Sequence, residues 1–141
     1  MFASTPGSSL RLRRWAPPFL ATLFAGSGVL HLVRPDVFLP LIPTGLPGPV
    51  RDSIVLCSGV AELVCATGLL TRAPWAGMAS AVLLILVFPG NIKVAIDATS
   101  DPASSSLAVI AAWARLPLQA PLIWAALQAR PAKVGPDPRL P

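Results

Sequence analysis

Four long apolar stretches alternate with short polar or proline-rich breaks along the chain. The first runs from Trp15 to Val33, nineteen residues without a formal charge. Pro17 and Pro18 fall in its first turn, where a missing N–H costs little. At about 1.5 Å of rise per residue, such a helix crosses about 30 Å of hydrocarbon. The second runs from Ser53 to Thr71 and holds one charge, Glu62, close to its middle. The third spans roughly Ala73 to Ile96. Its part free of prolines and charges, Trp75 to Phe88, is too short to span comfortably. That helix is therefore expected to continue through Pro89-Gly90-Asn91, with a kink there. The fourth runs from Ser105 to Ala129 and carries Arg115, Pro117, Gln119 and Pro121. The pattern predicts an all-α fold: a four-transmembrane-helix bundle with kinked third and fourth helices.

The breaks carry their own signals. Residues 34–52 hold five prolines (Pro35, Pro40, Pro43, Pro47 and Pro49), which excludes one continuous helix. Yet Val37, Phe38, Leu39, Leu41, Ile42 and Leu46 are apolar. This connection is expected to lie on the membrane interface or to fold over the bundle mouth. Residues 97–104, with Asp101 and Pro102, read as a polar turn with cap-type residues. The chain divides into a flexible basic lead at 1–14, a membrane domain at 15–129 and a short proline-rich cytoplasmic tail at 130–141. Arg11, Arg13 and Arg14 ahead of an apolar stretch resemble a secretory signal. The run continues to Val33 and the A-x-A pattern is poor, so a retained first membrane helix is expected.

Composition sharpens this reading. The 141 residues are 54% hydrophobic and 12% charged, against about 45–50% and about 25% for soluble domains. Mean hydropathy is +0.69. So little charge does not keep a single-domain surface soluble, which excludes an ordinary cytosolic domain and a disordered chain. The net charge of +5 raises the question of nucleic acid. The basic residues sit in gaps between apolar runs, without one basic face or interleaved aromatics, so the expected partner is the lipid bilayer and not nucleic acid. Seven of them (Arg11, Arg13, Arg14, Arg72, Arg130, Lys133 and Arg139) fall on the side of the termini, and three (Arg34, Arg51 and Lys93) on the other. The positive-inside rule then puts both termini in the cytoplasm. Trp15, Trp75 and Trp124 sit near that boundary, as indoles prefer.

Cys57 and Cys65 share one run, about 12 Å of helix rise apart, so they do not bridge to each other. With no C-x-x-C, they read as small buried hydrophobes.

Ionisable groups at mid-membrane cost about 2.5–3.5 kcal/mol each, so they face the bundle interior and find partners. Glu62 lies nine residues into its run and Arg115 ten residues into its own, both counted from the outer side. An ion pair or water-bridged pair between them is expected. It would either fix helix register or handle protons, a quinone or a substrate. Gln119 shares the face of Arg115. Pro117 and Pro121 free carbonyls at Trp113 and Pro117, for which Arg115, Gln119 or water are the available partners. Glu62, Arg115 and Gln119 form one candidate polar core. A second polar group, His31, Asn91 and Lys93, with Asp97 near it, gathers at the outer face beneath the proline-rich connection. Small residues (Gly26 and Gly28; Ser58, Gly59, Cys65 and Ala66; Gly77 and Ala81) mark faces for close helix approach. No nucleotide-loop, zincin or serine-hydrolase motif is present. There are too few clustered ligands for a metal, and no catalytic residue is assigned.

The stretches Gly28-Val-Leu-His31-Leu-Val-Arg-Pro35, Ser58-Gly-Val-Ala-Glu62 with Gly68-Leu-Leu, Phe88-Pro-Gly-Asn91-Ile92 and Arg115-Leu-Pro-Leu-Gln119 resemble, in order and spacing, the DoxX-like membrane proteins of the broader DoxX/MauE group. The resemblance covers about residues 15–129. It implies a small four-helix bundle in the bacterial cytoplasmic membrane, acting as a small subunit or partner of a membrane redox system, such as an oxidoreductase. A quinone-binding oxidoreductase subunit is one alternative it implies, with quinone as the ligand. A small transporter or proton path through the Glu62–Arg115 region is another reading of the residues. The missing C-x-x-C argues against direct dithiol chemistry and keeps the redox link associational.

Overall fold

The computed structural model describes residues 6–129, with side chains from Arg14 onward. Residues 1–5 of the expected lead and the tail at 130–141 lie outside the described residues. Four α-helices form where the four apolar stretches predict them: α1 (Pro6–Val33), α2 (Gly48–Leu70), α3 (Ala76–Ser100) and α4 (Ser106–Gln128). No strand occurs among the described residues. Each helix is long and apolar enough to cross a membrane, the architecture of a multi-pass membrane protein. Large apolar side chains such as Leu86, Leu107 and Ile110 point outward, more than 60% exposed. In water that surface would be an aggregation liability; in a bilayer it meets acyl chains.

Helix limits differ from the sequence expectation in three places. The backbone of α1 is already helical at residues 6–14, within the expected flexible lead. Nothing between Gly7 and Pro17 breaks a helix, and extending one adds a hydrogen bond per residue fixed. The start of α2 is Gly48 rather than Ser53, with Pro47 as its cap and Pro49 in its first turn. These prolines begin the helix because first-turn N–H groups have no intrahelical partner anyway. At its far end α3 continues to Ser100, where the Thr99 and Ser100 hydroxyls donate back to the carbonyls of Ala95 and Ile96. The turn before α4 is held by capping, as its composition predicts. The Asp101 carboxylate accepts from the Ala103 N–H, and Ser105 Oγ accepts from the Ala108 N–H.

Consecutive helices are packed neighbours, and α1 on α4 closes the ring. The α1–α2 pair is antiparallel and crosses at two glycines. A Cβ on Gly28 would lie 2.8 Å from the Gly59 carbonyl oxygen, and a Cβ on Gly59 would lie 2.6 Å from Cβ of His31. Only glycine permits backbones this close. Gly26, by contrast, has nothing within 4 Å, so it is not a packing residue as expected. The α2–α3 turn closes through Arg72 at φ 54°. The Ala73 N–H donates to the Gly68 carbonyl and the Arg72 N–H to that of Leu69, the two bonds of a Schellman cap.

The apolar core occupies the half of the bundle nearest the chain termini. There Ala21, Ala66, Ala76, Ala81 and Ala126 let the helices close around Leu20, Phe24 and Leu69. In the other half the helices leave space, and the proline-rich connection folds over that mouth. Its two short 3-10 turns (Pro35–Val37 and Leu39–Leu41) flank Phe38. Arg51 donates to the Leu39 carbonyl at 3.0 Å and Lys93 Nζ to that of Pro40 at 2.9 Å. Leu41 rests against Gly90, where a Cβ would meet its carbonyl oxygen at 3.1 Å.

Candidate functional site

Beneath this cover lies a cavity of about 550 Å³. Its walls are largely apolar: Leu23, Phe24 and Leu30 from α1, Leu84, Val87 and Val94 from α3, Val37, Phe38 and Leu41 from the connection. Five polar side chains reach it. Ser27 and His31 come from α1, Glu62 from α2, Asn91 from α3 and Arg115 from α4. The cavity thus joins members of the two polar groups that the sequence placed apart.

His31 is the most constrained of them. Its Cβ sits over Gly59, and its ring stacks on Phe38 with centroids 3.4 Å apart and planes 18° from parallel. Nδ1 lies 2.9 Å from the Ser27 carbonyl oxygen and 3.3 Å from Glu62 Oε2. A carbonyl only accepts, so Nδ1 carries a proton. Nε2 has no hydrogen-bond partner among the described residues and is the nitrogen left to exchange a proton or bind. Glu62 is 7% exposed. Its Oε2 is within ion-pair distance of His31 but off the line of the Nδ1–H, and it has no aligned hydrogen bond.

The expected Glu62–Arg115 ion pair does not form. Among the described residues Glu62 pairs with His31, and Arg115 has no ion-pair partner. Equal depth sets the height of two side chains but not the angle between their helices. α2 and α4 face each other across the ring, with the cavity between them. A connection extending to residue 52 would put His31 at the outer face and Glu62 near mid-membrane, at different depths. With α2 starting at Gly48 and register set at the Gly28–Gly59 crossing, the first turns of α2 run past the end of α1. His31 then meets Glu62.

Gln119 also differs from expectation. It is 4% exposed and serves α3, not the carbonyls freed within α4. Its Nε2 donates to the Leu84 carbonyl, and its Oε1 accepts from Asn91 Nδ2 at 3.0 Å. Because the Leu84 oxygen can only accept, the chain of donors runs in one direction, from Asn91 through Gln119 to Leu84. Gln119 is thus a positioning residue for Asn91. Lys93 does not line the cavity with His31 and Asn91: it binds Asp97 and the Pro40 carbonyl, and so ties down the cover. Arg34 and Asp36, on the exposed rim, form a bidentate pair at 3.1 and 3.0 Å. The Arg34 hydrogen bonds hold the Asp36 carboxyl below its ordinary range. Both Cys57 and Cys65 are free thiols. No group of three or more metal-ligating side chains occurs among the described residues.

Apolar walls with a few convergent polar groups, at this volume, describe a small-ligand site. Neither the curated proteins nor the solved structures contain a match to this chain. A family model does match, over residues 20–130, which takes in the second half of α1, all of α2, α3 and α4, the cover and every cavity residue named above, and the chain belongs to that family, a domain of unknown function (DUF8561).

Proposed function

We propose that this protein is a DoxX-like integral membrane protein of the bacterial cytoplasmic membrane, a small subunit or partner of a membrane redox system. In this reading both termini are cytoplasmic, and α3 and α4 bend at Pro89 and at Pro117 and Pro121. The carrying observation is the cavity with His31, Glu62 and Arg115 at its wall. Ionisable groups within membrane spans are costly and mark functional sites by default, and a purely structural anchor has no use for three around one space. The sequence resemblance supplies the redox association. The test is co-purification of the tagged protein from its native membranes in mild detergent. A stoichiometric oxidoreductase is expected in the eluate, retained by Gly26→Ala and depleted by Glu62→Gln at equal yield. Absence of any oxidoreductase, with no change in oxidant sensitivity on deletion, refutes the reading. Fusions of a cytoplasm-active reporter to either terminus are expected to be active.

A second reading is favoured by the chemistry of the cavity wall. Apolar walls with an Arg115 donor and a free His31 nitrogen fit the head of a quinone, which would be supplied as an electron carrier when bound. Quinone is then expected in extracts of the purified protein, and lost from Arg115→Met.

A further inference from the structure

We propose that the cavity and a groove adjoining it along the α1–α4 seam bind a single-chain amphiphile with a carboxylate head. The head group pairs with Arg115, and the tail lies in the groove. The inference rests on the cavity being a ligand site, but not on any redox partner.

The groove measures about 960 Å³, with Trp15, Phe19 and Leu23 on one side and Leu118, Pro121 and Leu122 on the other. Its lining is almost wholly apolar, and the Thr22 hydroxyl there donates to the Pro18 carbonyl at 2.9 Å. The two spaces adjoin, with Leu23 in the wall of both. On α4, Arg115 faces the cavity and Leu118, about one turn on, faces the groove. From Arg115 to Ala125 the seam runs about 15 Å, the reach of a tail of roughly twelve carbons. One seam offers a bed for one tail.

Charge selects the head. His31 and Glu62 hold each other at 3.3 Å. That approach engages the Glu62 carboxyl with the α1 imidazole and not with Arg115. Arg115 brings a positive charge to the cavity wall and has, among the described residues, no anion within ion-pair distance. Arg115 is an exposed side chain of α4 that lines the cavity, and a guanidinium at membrane depth without a counter-ion is costly. A monoanionic head cancels that charge; a neutral head does not. The planar fork of the guanidinium matches a carboxylate bidentately.

The test titrates full-length protein in non-ionic detergent with dodecanoate, methyl dodecanoate and phosphatidylglycerol, by calorimetry and native mass spectrometry. Dodecanoate is expected to bind one per chain, at least tenfold tighter than its ester. Arg115→Met is expected to abolish that preference and Arg115→Lys to keep it. Leu118→Trp, which fills the groove, is expected to weaken acid and ester alike. Equal affinity of acid and ester for the unaltered protein overturns the proposal, as does a preference that survives Arg115→Met. Displacement of dodecanoate by an equal mole fraction of phosphatidylglycerol also overturns it, since the site would then be a general anionic-lipid contact. None of these readouts needs an oxidoreductase, so failure of the redox reading and failure of this one are separable.

Discussion

Replacing Gly59 by alanine tests the packing that brings His31 to Glu62. The new Cβ would lie 2.6 Å from Cβ of His31 and 3.1 Å from the Gly28 carbonyl oxygen, where ordinary contacts begin at 3.4 Å. Both obstacles are on or next to the α1 backbone, so no rotamer change relieves them. The two helices must part by roughly 1 Å, and such overpacking costs about 1–3 kcal/mol. Alanine also gains up to about 1 kcal/mol over glycine in a helix, which partly masks the loss. Gly26→Ala supplies the control: it has the same propensity gain and nothing within 4 Å to oppose it. In the difference between the two variants propensity cancels and the crowding cost remains. Gly59→Ala should therefore be about 1–3 kcal/mol less stable than Gly26→Ala. Reversible unfolding in mixed detergent–lipid micelles, run side by side, measures that gap. A gap below about 0.5 kcal/mol would show that the α1–α2 crossing is not tight at Gly59, and the argument for its register would fail.

Four further outcomes follow from the same geometry. Gln119→Leu strips the Leu84 carbonyl and the Asn91 amide of their partner at once; a loss of about 1–3 kcal/mol is expected in the same unfolding assay, and an unchanged midpoint would mean water replaces it freely. His31→Leu leaves the buried Glu62 without its polar partner at 3.3 Å, so it should destabilise more than the His31→Leu/Glu62→Leu double variant does; a double variant that is the sum of its singles contradicts the pairing. Arg72→Gly relieves a left-handed backbone at φ 54° and should raise stability by about 1 kcal/mol, with no gain expected if the turn opens in lipid. Asp36 is held below its ordinary value near 3.8 by hydrogen bonds from Arg34. Because its folded value is depressed, whatever the rim pair contributes is present above the ordinary value and lost as pH falls through the lower folded one; carboxyl NMR should show that lowered midpoint and its return toward normal in Arg34→Gln.

What the chain order of side chains determines by itself is the class of fold. Apolar runs of about twenty residues have one solution in lipid, because backbone groups there must bond within the segment, and four such runs make four spanning helices. Cap residues such as Ser105, and the folding-over of an apolar proline-rich connection, follow from equally local chemistry. Which polar groups meet does not. Periodicity sets the face and depth of Glu62, Arg115, Gln119 and His31 on their own helices, but a partner depends on which helices are neighbours and on their register. Those were decided by packing: the Gly28–Gly59 crossing slid α2 past the end of α1 and delivered Glu62 to His31. The diagonal placement of α2 and α4 kept Arg115 apart from Glu62 and left a cavity between them. Register brought one pair together and diagonal placement replaced an expected salt bridge with a lined space, because side-chain contacts answer to distances between helices that no local pattern contains.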